Sequence, residues 1–139
     1  RMTRTTTSDA VTDGIRIQAA AQFLPEESRA KDGKFVFAYK VVMTNLGEQR
    51  ARLVARHWII VDGEGRRQDV RGPGVVGEHP SLGHRESFSY ISYCPLGTTW
   101  GTMEGFYTFE RDDGRRFRVR CGRFYLVPTA PPLSLESPA

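Results

Sequence analysis

The feature that most narrows what this chain can fold into is the alternation of apolar and polar side chains along short stretches. After Gly14, the residues Ile15, Ile17, Ala19, Ala21 and Phe23 alternate with Arg16, Gln18, Ala20 and Gln22. A period of two is that of a strand buried on one face. Pro25 to Gly33 is charged and broken by proline and glycine, hence a loop. A second alternating run then carries Phe35, Phe37, Tyr39, Val41 and Met43 and stops at Asn45 and Gly47. Leu53 to Val61 is apolar on both parities around Trp58, as a strand between packed layers would be. Arg66 to Arg71 supports a short strand before the glycine-rich segment Gly72 to Gly83, and Phe88, Tyr90 and Ser92 alternate again. Met103, Gly105, Tyr107 and Phe109 form the sixth run. Asp112, Asp113 and Gly114 turn the chain into a seventh, through Phe117, Val119, Cys121, Phe124 and Leu126.

No window holds a sustained stripe at 3.6-residue spacing, so helix is nearly excluded. The expected fold is all-β, an immunoglobulin-like or fibronectin type III-like β-sandwich of about seven antiparallel strands. Residues 14–127 make up the sandwich domain, residues 1–13 a mobile N-terminal segment, and residues 128–139 a mobile tail in which Pro128, Pro131, Pro132 and Pro138 oppose strand pairing.

A chain of 139 residues buries enough apolar surface to fold without metal or disulfide staples. Its two cysteines, Cys94 and Cys121, lack zinc or redox spacing and read as reduced packing thiols. No stretch approaches the roughly 20 apolar residues of a membrane span, and the polar, threonine-rich first residues have no signal-peptide core. The expected location is the cytoplasm, without membrane contact. The formal charge of +4 is carried almost wholly by arginine, the residue that suits planar carboxylate and phosphate partners.

The most distinctive local sequence runs Arg71-Gly72-Pro73-Gly74-Val75-Val76-Gly77-Glu78-His79-Pro80 and places three glycines in GxGxxG spacing. A dinucleotide fold would need a helix to open at the third glycine, and Pro80 and Gly83 forbid one. A sharply turned loop with positive φ at glycine is the expectation. Together with Phe23-Leu24-Pro25, Phe37-Ala38-Tyr39, Arg56-His57-Trp58-Ile59-Ile60 and Gly101-Thr102-Met103-Glu104-Gly105-Phe106-Tyr107, this loop resembles the ApaG family across roughly Val11 to Val127. Two places depart from it: His84-Arg85 stands where family members usually carry Pro-Gly, and Cys121-Gly122 where Ile-Pro is common. The resemblance implies a fibronectin type III-like sandwich, no established catalytic activity, and a loose association with cobalt resistance and magnesium efflux.

No nucleophile, base and acid converge in the sequence. Ser87 and Ser89 lack a nucleophile elbow, and His57 beside Trp58 reads as a satisfied structural histidine, which makes hydrolysis the third choice of function. Glu78, His79, His84 and Glu86 lack metal-ligand spacing, so no metal and no cofactor is expected. Arg116, Arg118 and Arg120 form a basic stripe on one strand face, read first as a solvated outer surface, with no sequence-specific nucleic-acid binding. The leading expectation is a non-catalytic module that binds an unidentified protein partner. Its surface would be the loop Arg71, Gly72, Gly74, Val75, Val76 and Gly77, joined to the turn Pro95 to Thr99 beside Trp100. The alternative is a phosphate-bearing small molecule held by Arg71 and the amides of that loop.

Overall fold

The computed structural model describes residues 5–129. They form two antiparallel sheets packed face to face. The strands are β1 (Thr7–Thr12), β2 (Ile15–Phe23), β3 (Phe35–Asn45), β4 (Ala51–Asp62), β5 (Arg67–Pro73), β6 (Ser81–Leu82), β7 (Ser87–Leu96), β8 (Gly101–Arg111) and β9 (Arg116–Leu126). One sheet has the order β1-β2-β3-β7 and the other β5-β4-β8-β9, with β6 paired to the start of β4. Helical structure among the described residues is limited to two 3-10 turns, Pro25–Glu27 and Ala30–Asp32.

The alternation explains the packing. Ile15, Ile17, Ala19 and Ala21 of β2, and Phe37, Tyr39, Val41 and Met43 of β3, are buried against Trp58, Tyr107, Phe109 and Phe124 of the facing sheet. Tyr39 lies edge-on to Trp58 at 5.4 Å, and Trp58 edge-on to Tyr107 at 5.8 Å, the geometry aromatic rings prefer. The two free cysteines, Cys94 and Cys121, pack in this core.

All seven expected strands are present, together with two more. β6 is too short to leave a periodic trace. β1 corrects the reading of residues 1–13 as a mobile segment, because Thr7 to Thr12 pair with Ala20 to Ile15 through a tight turn at Asp13 and Gly14 (φ 47° and 82°). The remainder of that expectation, residues 1–4, and residues 130–139 of the expected tail lie outside the described residues.

The sandwich is asymmetric. Along one flank β1 and β2 touch β9, and the Tyr125 amide donates to Thr5 O at 2.8 Å while the Arg120 amide donates to Thr12 Oγ1 at 3.2 Å. On the opposite flank β5 and β7 are the outer strands of their sheets, and among the described residues no comparable seam joins them.

Candidate functional site

The glycine-rich loop owes its shape to glycine at two points. A Cβ on Gly72 would meet the Arg56 guanidinium at 2.9 Å, so a side chain there would push Arg56 from its place across β5. Gly74 has φ 56°, and a Cβ there would collide with Glu78 O. Beyond it Val75 and Glu78 bond each other through both backbone groups, at 2.9 and 2.8 Å, around a two-residue tip. Val76 (φ 44°) and Gly77 (φ 79°) occupy that tip, the conformation of a type I′ turn.

The predicted residues therefore divide. Val75 is fully buried in the core and cannot touch a partner, which corrects its place in the interaction surface. Val76 is 54% exposed. The Gly74 amide donates to Val54 O at 2.9 Å and the Val75 amide to Glu78 O, leaving Val76 and Gly77 as the amides without an acceptor among the described residues. Arg71 sits on β5 with its Nη2 3.6 Å from Asp69 Oδ2. The Pro95–Thr99 turn is not a neighbour of this loop. Thr98 Oγ1 accepts the Gly63 amide at 2.8 Å beyond the end of β4, whereas Gly74 is anchored at Val54 near its start. About 25 Å of extended strand separates the two. Trp100 lies over Gly63 and stacks on Tyr125 at 6.2 Å.

Other sequence candidates are held in structural roles. His57 Nε2 pairs with Asp69 Oδ2 at 2.7 Å on the outer face of its sheet, and Ser87 bonds Thr44 at 2.9 Å in the other sheet, so histidine and serine do not meet. The Arg67 guanidinium, and then His57, hold the Asp69 carboxyl well below the usual carboxylate range. His79 Nδ1 pairs with Leu53 O at 3.1 Å, His84 Nδ1 with Gly47 O at 2.8 Å, and Glu86 accepts the Gly83 amide. Among the described residues no three His, Cys, Asp or Glu side chains are grouped as metal ligands. The basic stripe is interleaved with acid: Arg116 pairs with Glu110 at 2.9 Å, Arg120 with Glu104 at 3.8 Å, and Arg118 lies 3.9 Å over the Phe106 ring. Much of its positive field is thereby neutralised.

Two concave surfaces flank the β7 edge instead. On the outside of the β1-β2-β3-β7 sheet, Leu24, Val36, Ala38, Tyr93 and Pro95 line a groove of about 570 Å³, rimmed by Glu26, Glu27 and Lys34. Tyr93 and its neighbour Ile91 are 63% and 49% exposed. On the inside, at the open flank, Tyr39, Arg56, Trp58, Val70 and Ser92 are among the residues lining a cleft of about 220 Å³. Sequence reasoning passed over Arg56, Ile91 and Tyr93. The one available signal was the apolar pair Ile91 and Tyr93 on the polar parity of an alternating strand.

Comparison with known proteins agrees with this architecture. The ApaG domain model matches residues 25–111. A protein ApaG from Anaeromyxobacter dehalogenans is 48% identical over 120 residues, covering 86% of this chain and 94% of the relative. One from Methylobacterium sp. strain 4-46 is 49% identical over 117 residues, covering 84% and 90%. A crystal structure of a Bordetella pertussis protein described as ApaA superposes with a TM-score of 0.78 at 40% identity, covering 90% of this chain and 97% of that one. The β-sandwich, its glycine-rich loop and its buried Trp58 are thus those of a chain that belongs to the ApaG family.

Proposed function

We propose that this ApaG domain is a cytoplasmic, non-catalytic protein-interaction module whose docking surface is the outer groove beside β7. One observation carries the reading: an exposed aromatic, Tyr93, and an exposed aliphatic, Ile91, stand next to an apolar concavity with a charged rim. Apolar centre and polar rim are the anatomy of a protein interface, and aromatic anchors contribute most of its energy. The occupant is an apolar side chain of a partner protein, with a basic neighbour to meet Glu26 and Glu27. The family's loose tie to cobalt resistance and magnesium efflux fits as an indirect effect, exerted through that partner.

A photo-crosslinking residue in place of Tyr93 is expected to trap one discrete protein in cells, and Ile91→Asp in the same background to abolish the adduct without lowering Tm. Equal trapping from a crosslinker at Arg118, on the other sheet, would defeat the proposal. A second reading, a phosphate-bearing ligand at the glycine loop, rests on Arg71 and the two tip amides of Val76 and Gly77. Titration with pyrophosphate should move those amide resonances if it holds; stationary resonances would remove it.

A further inference from the structure

We propose that the cleft between β5 and β7 binds a small carboxylic acid with an apolar body, its carboxylate held by Arg56. The site lies on the inner side of β7 and does not depend on the outer-groove reading. Arg56, Trp58 and Ile60 of β4 are registered opposite Gly72, Val70 and Gln68 of β5. Cross-strand partners share a face, so all six turn toward the space between the sheets. Among the described residues the facing sheet ends at β7 and extends no strand over β5, and Tyr39, Ser92 and Cys94 complete the walls.

Arg56 is the chemical centre of this space. On the outer faces Arg16 pairs with Asp9, Arg67 with Asp69, Arg123 with Glu104 and Arg116 with Glu110, while Arg118 lies over the Phe106 ring. Arg56 has no carboxylate within ion-pair distance among the described residues. Its Nη1 donates to Pro73 O and Gly74 O, both at 3.0 Å. Those carbonyls fix the guanidinium in place without neutralising it, and they leave Nε and Nη2 with no acceptor among the described residues. A planar fork held beside apolar walls suits a carboxylate, and fixing it beforehand lowers the cost of binding. Two residues along the same face of β4, buried Trp58 carries an indole N–H that also finds no acceptor among the described residues.

Charge and size define the ligand class. One uncompensated cation matches a monoanion; a phosphate dianion would keep excess charge against Trp58, Ile60, Val70 and Met103. A dry cavity of about 150 Å³ accommodates benzene. The cleft of about 220 Å³ therefore has room for an acid of about the size of benzoate.

Benzoate, its neutral isostere benzamide and inorganic phosphate are titrated separately into the ¹⁵N-labelled protein while the Trp58 indole and Arg56 Nε resonances are followed. Benzoate is expected to move both saturably, and benzamide and phosphate to bind about tenfold more weakly or less. Arg56→Gln should remove the preference for benzoate over benzamide. Val70→Phe, which fills the cleft and leaves Arg56 and its loop contacts in place, should abolish benzoate binding, and it decides the matter if Arg56→Gln unfolds. Equal response to benzoate and benzamide, no saturable shift by roughly 10 mM, or shifts confined to Gly77 or Tyr93 would overturn the proposal. Tyr93 and Pro95 border both concavities, but benzoate binding is read at Trp58 and Arg56 and the partner adduct at Tyr93, so the two readings fail separately.

Discussion

At Val76 and Arg85 the backbone enters the left-handed region without glycine, with φ 44° and 66°. A β-branched side chain is poorly suited to that region, and such a residue costs on the order of 1–3 kcal/mol. Val76→Asn is therefore expected to raise stability by about 1 kcal/mol, seen as a higher urea midpoint; an unchanged midpoint would mean a contact of Val76 offsets the strain. Arg85 occupies the third position of a turn closed by the Glu86 amide and Gly83 O at 3.1 Å. Positive φ there, and not at His84, makes the turn type II, which favours Pro-Gly at its centre. Arg85→Gly should stabilise by about 0.5 kcal/mol, less than the strain relieved because glycine loses more entropy on folding; a fall in the urea midpoint would refute it. Val75 and Val76 are the same residue in adjacent positions, yet one is core and the other surface. The tip geometry makes that division, and composition alone could not express it.

Strands announced themselves where one face is buried and the other wet. β2, β7, β8 and β9 carry that contrast plainly, while β3 is buried on both faces along nearly its whole length. β1 does not, since Thr7, Asp9 and Val11 are exposed and Ser8, Ala10 and Thr12 only half-buried. Its sign was the Asp13-Gly14 dipeptide before Ile15, a hairpin signature that marks a partner strand upstream. Removing the chain through Thr12 is expected to cost a large part of the ~5–15 kcal/mol typical of a domain and to leave β2 as a naked, aggregation-prone edge. Thermal melts and light scattering of the shortened chain measure both, and an unchanged melt would make β1 dispensable. The candidate surfaces were less legible because they depend on strand order. Nothing local to Ile91 and Tyr93 says that β7 ends its sheet, and nothing local to Arg56 says that the facing layer stops short of it.

Across the whole molecule, acid and thiol chemistry follow from burial and pairing. Arg16 bonds hold Asp9 low, Arg67 and His57 do so for Asp69, Arg116 and Arg52 for Glu110, and the Arg115 amide and side chain for Asp113. Carboxyls whose pKa is lower folded than unfolded stabilise the fold above about pH 4, and that contribution is lost as pH falls through the depressed values. Tm should drop steeply below pH 4 and less steeply in Asp69→Asn; identical profiles would show that Asp69 contributes nothing. Burial pushes the Cys94 and Cys121 thiols up to about 12. Neither should react with a disulfide reagent at pH 8 until urea unfolds the chain, and rapid labelling of the native protein would contradict this.

The backbone contact between Thr5 and Tyr125 brings the entry and exit of the described fold to a single flank. A domain spliced on before Thr5 or after Leu126 would hang from that stitched side, so fusion partners of moderate size would leave Arg56 and Tyr93 uncovered. The same proximity lets a short peptide tie join the ends and new ones be cut elsewhere, with both concave surfaces intact.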